Sequence, residues 1–87
     1  MPYVLVRHKV TDWDGWKPVY DEHAPARAIA GLKEEHLFRN ADNPHEIILL
    51  FSAENLDKAR RFAESADLRD AMQRAGVMDQ PDIYFLN

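Results

Sequence analysis

The segment from Glu46 to Ser52 constrains the fold more than any other stretch of the chain. Its centre, Ile47-Ile48-Leu49-Leu50-Phe51, is apolar at every position and does not alternate. Successive side chains of a strand point to opposite faces. A strand apolar at both parities therefore needs cover on both of them. The chain has 87 residues, room for one domain over residues 1–87 and not two. Its own helices can cover one face of such a strand. The other face calls for a second body. A chain this short buries only about 60–65% of the surface its unfolded form exposes, so a partner subunit helps it.

The remaining elements follow from periodicity and breakers. Tyr3 to Val10 reads as a first strand, with Val4, Val6 and Val10 alternating against Leu5, Arg7 and Lys9 and with His8 on the valine face. Asp12 and Asp14 offer N-cap oxygens to a helix. Trp13, Trp16, Tyr20, His23 and Arg27 recur along it at three- or four-residue spacing, as one stripe. Pro18 is expected near the first turn. Pro25 lacks an amide donor and disfavours helical angles at Ala24, so a break is expected near His23–Ala24, then a short piece ending at Gly31. Lys33 to Asn40 reads as a second strand. Asp42-Asn43-Pro44 is a turn, which makes strands two and three an antiparallel hairpin.

Ser52 or Asn55 can cap the next helix, whose apolar stripe is Leu56, Ala59, Phe62 and Ala63. Ser65 and Asp67 look like a renewed cap before Leu68, Ala71, Met72 and Ala75, and Gly76 closes the helix. Pro81 begins a last strand with Ile83 and Phe85 on one face and Tyr84 and Leu86 on the other. The order is β-α-β-β-α-β. This is the α+β, ferredoxin-like arrangement: a four-stranded antiparallel sheet with its helices on one face. The other face would be apolar and bare. A two-fold homodimer packed sheet against sheet is the economical cover.

Composition excludes several function classes. Eleven basic and fifteen acidic residues give a net charge of −4, with no Lys/Arg block, so neither nucleic-acid binding nor a polybasic membrane anchor is expected. The absence of cysteine removes disulfides, thiolate chemistry and thiolate-held metals. The N-terminus MPYVLVRHKV is too short and too charged for a signal peptide, and no apolar run approaches a membrane span, so a cytoplasmic protein is expected.

Trp16, Tyr20 and His23 form the sharpest chemical constellation: a stripe aimed at the sheet would line a pocket with two aromatic walls and a base. The plainer reading is core packing. His8 on an apolar strand face is either a general base or ligand-orienting group, since imidazole titrates near neutrality, or a semi-buried histidine bonded to a neighbour. His36 shares parity with Phe38 and is expected to face the helices near His8. Arg39 would then face the dimer side. Arg27 could bind a carboxylate or phenolate, or be solvated. His45, beside a turn, is expected to be exposed. Convergence of His8, His23 and His36 would offer ligands to a metal, but none has the short spacing of a metal motif, and no metal site is expected. Ser52 and Ser65 read as caps, and Gly15, Gly31 and Gly76 form no phosphate loop.

Three stretches, VRHKVTDWDGWKPVYDEH, HLFRNADNPHEIILLF and LDKARRFAESADLRDAMQRAGVMDQPDIYFL, resemble small proteins of the dimeric α+β barrel superfamily. More narrowly, they resemble its antibiotic-biosynthesis-monooxygenase-like and cyclase-like members. The resemblance spans nearly the whole chain. It implies the ferredoxin-like fold, a homodimer and a pocket between sheet and helices for a small aromatic or polyketide-like molecule. It further implies an oxygenase or cyclase without cofactor; it matches only the general aromatic-plus-polar character of such a site, and the residues that would serve it here are His8 or His23 to move a proton and Trp16, Tyr20, His36 and Arg27 to hold the ligand. The haem-degrading members use an Asn, a Trp and a His. Here strand one has no Asn and the second helix no His, which argues against that activity. The rival from another class is a non-catalytic, stress-related or regulatory dimer whose histidines and aromatics are structural.

Overall fold

The computed structural model describes residues 2–87. Four strands and four helices follow one another as β1 (Tyr3–Lys9), α1 (Trp13–Glu22), α2 (Ala24–Ile29), β2 (Leu32–Arg39), β3 (Glu46–Ala53), α3 (Leu56–Ala63), α4 (Ala66–Arg74) and β4 (Asp82–Leu86). Each of the two expected helical regions is thus a pair of helices. The strands lie in the order β2-β3-β1-β4, and every pairing is antiparallel. The doubly apolar strand β3 takes a central place, where both of its edges are hydrogen-bonded.

Register sorts the side chains. Val4, Val6 and His8 stand opposite Phe51, Leu49 and Ile47. Val4, Ile47, Leu49 and Phe51 form the core with Val10, Trp16, Ala59 and Ala75, so this face lies under the helices. Opposite pairs at the other parity, Leu5 with Leu50 and Arg7 with Ile48, occupy the helix-free face, as do Tyr84 and Phe38. Phe38, Tyr84 and Leu86 there are 52%, 53% and 41% exposed, which leaves an apolar surface bare on the single chain.

Local chemistry explains the helix ends. Asp12, Asn55 and Ser65 accept from the backbone N–H of Gly15, Lys58 and Leu68, satisfying donors that a first turn leaves orphaned. Ser52 instead stays in β3 and donates to Glu35 at 2.9 Å. Gly31 and Gly76 end α2 and α4 with φ of 77° and 80°, the left-handed region where a Cβ is penalised.

Three expectations need correction. Pro18 sits in the second turn of α1, because Asp12 rather than Asp14 caps it. Ala24 is helical despite the following proline, since Pro25 falls in the first turn of α2, where no amide donor is needed; the break is confined to His23. The third concerns β2. Glu34 stands opposite Phe51 and His36 opposite Leu50, so one extra residue bulges between them. A one-residue slip exchanges faces. His36 therefore lies on the helix-free face, stacked on Phe38 at 5.5 Å, away from His8. Arg39 is sent the other way, over the Trp13 ring at 4.7 Å.

Candidate functional site

Between the sheet and the helices lies a cavity of about 90 Å3. A water molecule needs at least about 10–15 Å3 on the same measure, so there is room for several waters or for a small ring system. Val4, Val6, Leu49 and Phe51 make its sheet side, and Phe62 and Met72 are among its walls from α3 and α4. Four polar side chains join this apolar lining: His8, Tyr20, His23 and Arg27. A mostly apolar hollow with a few convergent polar groups is the usual form of a small-molecule site.

His8 is 3% exposed, and its Nδ1 is buried without a hydrogen-bond partner. Its ring meets Trp16 edge-on at 5.8 Å. Burial pushes its pKa below the ordinary 6.5, against a smaller opposing pull from the Asp79 charge. The imidazole is therefore neutral at pH 7 and has a lone pair to offer.

Stability should carry the mark of this group. Below pH 6.5 the unfolded chain binds a proton that folded His8 refuses, so the His8 contribution is complete above 6.5 and lost as pH falls through the lowered folded value. The Glu46 and Asp79 carboxyls are held below 4.5 and 3.8, so their losses come at lower pH. We expect the thermal midpoint to drop between pH 7 and 5, and the drop to shrink in His8→Leu. Identical pH profiles for the two proteins would refute the assignment.

Trp16 and Tyr20 stack at 4.6 Å with 20° between their planes. The Tyr20 hydroxyl donates to Glu34 at 2.7 Å. Burial, then this bond to a carboxylate, keeps the phenol well above its usual pKa. Tyr20 thus offers a cavity its ring rather than a reactive oxygen. His23, at the break between α1 and α2, stacks on Phe62 at 5.7 Å and donates from Nε2 to Asp67 at 2.7 Å. That bond to a carboxylate orients the ring. Arg27 lies over the Tyr20 ring at 3.7 Å and donates to the Tyr20 carbonyl at 2.7 Å.

Of the six residues singled out from sequence, five line the cavity and His36 does not. Among the described residues no three metal-ligating side chains converge. Sequence reading missed Asp67 and Glu34, which fix His23 and Tyr20. Asp67 carried only a capping signal, and Glu34 in strand two carried no local sign of its contact with Tyr20.

These features define a ferredoxin-like α+β domain that encloses an aromatic, histidine-bearing cavity. That fold is the one found in antibiotic biosynthesis monooxygenase proteins. A protein from Bordetella bronchiseptica described as an antibiotic biosynthesis monooxygenase superposes with a TM-score of 0.79 at 16% identity, over 99% of this chain and 94% of that one. A Caulobacter crescentus protein of the same description gives 0.72 at 17% identity, over 98% and 86%. SnoaB from Streptomyces nogalater, a cofactor-independent oxygenase, gives 0.71 at 15% identity, over 95% and 89%. No family model matches the sequence, and no curated protein matches it.

Proposed function

We propose that the protein is a cofactor-independent, monooxygenase-like enzyme that acts on a small aromatic or polyketide-like molecule in the sheet–helix cavity and works as a homodimer. One observation carries this reading: a buried, neutral imidazole with an unpartnered Nδ1 lines an apolar cavity beside stacked aromatic rings. A buried polar atom left without a partner costs about 1–3 kcal/mol, which a purely structural histidine has no reason to incur. The fold it shares with SnoaB, itself a cofactor-independent oxygenase, supports the same direction.

The chemistry is a proton transfer followed by oxidation with molecular oxygen. His8 takes a proton from an acidic ring C–H, leaving a carbanion delocalised over the substrate. The carbanion adds to oxygen and forms a C–O bond. His8 returns its proton to the distal oxygen of the resulting peroxide; the second C–H proton then leaves as the O–O bond breaks, the departing hydroxide takes it up as water, and a ketone or quinone remains. In sum R2CH2 + O2 gives R2CO + H2O, with the substrate as the only reductant. Trp16 and Tyr20 supply the stacking surface, and His23 an imidazole oriented by Asp67. The low-dielectric walls keep the base neutral and exclude competing water.

Oxygen uptake with a panel of quinols and anthrones tests this. We expect one oxygen consumed per product, above the spontaneous rate, with label from 18O2 in the product. Uptake no faster than in buffer across the panel would reject the enzyme reading and favour the non-catalytic dimer.

A further inference from the structure

Among the described residues, Arg27 is the only permanent cation that lines the cavity, and it has no carboxylate in salt-bridge contact. The two acids whose charges reach it are already engaged: Glu34 accepts from the Tyr20 hydroxyl at 2.7 Å, and Asp21 from Lys17 Nζ at 2.6 Å. Of its five N–H donors, one is used, by the Tyr20 carbonyl at 2.7 Å. The half-buried guanidinium is thus desolvated without an opposite charge in contact, and burial pushes its pKa down. Contrast Arg7 on the far face of the sheet, which meets Glu46, Asp79 and Asp82 at 2.7, 3.3 and 2.7 Å. The Tyr20 ring against one face of the Arg27 guanidinium restrains its plane. A planar fork held in place is suited to a planar, two-oxygen anion.

We propose that Arg27 binds a carboxylate carried on the aromatic ligand, so that the cavity takes aromatic acids in preference to neutral rings of the same shape. This rests on the cavity being a site for aromatic ligands. Calorimetric titration with 2-naphthoate and its neutral isostere 2-naphthamide separates the two ideas. The wild-type protein should bind the acid at least about tenfold more tightly than the amide, as one charge-assisted contact implies. Arg27→Met, which keeps the aliphatic stem over Tyr20, should weaken the acid far more than the amide and so erase that preference. Equal affinities in the wild-type protein, or a preference that survives Arg27→Met, would overturn the proposal while leaving the aromatic site intact. Binding of neither compound would overturn both. The wild-type comparison decides even where the variant folds poorly.

Discussion

Replacing Leu50 with glutamate should leave no stable dimer, only monomer or aggregate in gel filtration. Leu50 sits at the centre of the helix-free face, opposite Leu5 on one neighbouring strand and His36 on the other. Ile48, Phe38, Tyr84 and Leu86 extend the same apolar surface. Single proteins seldom leave contiguous apolar patches of more than a few hundred Å2 bare. The guanidinium of Arg7 is no obstacle to covering it, since three carboxylates of its own chain already neutralise it. In a two-fold assembly each Leu50→Glu chain would place one carboxylate in the interface, so two charges lose water at once. Uncompensated buried charges of this kind cost more than about 3 kcal/mol, upward of a hundredfold in Kd. Ile29→Glu is the control: Ile29 on α2 is 81% exposed and off the sheet, so assembly should be unaffected. A Leu50→Glu protein that still elutes as a dimer would show that the sheet faces do not meet.

Much of the fold was legible because local signals agreed with the global pattern. The unalternating run in β3 was read as a strand in need of cover on both faces, and the side chains of Ile47, Leu49 and Phe51 do lie under the helices. Asn55 and Ser65 marked helix starts with oxygens that do bind the third amide onward. Pro25 located the break at His23 to within a residue. The two errors on β2 share one cause. A bulge at Glu35 has no periodic signature, yet it exchanges the faces of everything beyond it, and so His36 and Arg39 were each placed on the wrong side. The stripe Trp16, Tyr20, His23 and Arg27 was visible from spacing alone. Whether those side chains would fill their space or wall a cavity was not, because that depends on how Phe62 and Met72 approach from α3 and α4. His23–Asp67 and Tyr20–Glu34 join residues 44 and 14 positions apart, and no local pattern encodes such a contact.

His8→Gln should reduce turnover by about 10²–10⁴-fold, the range that a positioned general base contributes. Glutamine retains a polar group of similar reach but cannot take up a proton near neutrality. The same position gives an internal control on folding. Because Nδ1 is buried without a partner, His8→Leu removes an unsatisfied group and should raise stability by roughly 1 kcal/mol while abolishing activity. A gain in stability joined to a loss of activity separates a chemical role from a packing role. A loss of both would make His8 a core residue with an unseen partner. The limb of the pH–rate profile set by His8 should fall below pH 6.5, since burial lowers its pKa.

The cavity and its base are most directly observed together by NMR of the His8 ring, titrated with acid in the presence and absence of an aromatic ligand such as 2-naphthoate. Burial places the ligand-free midpoint below 6.5, and a ligand seated beside Trp16 should shift the His8 resonances in a saturable way. A midpoint at or above 6.5, with resonances that ignore every aromatic ligand offered, would mean that His8 is an ordinary structural histidine and that the cavity is not a site.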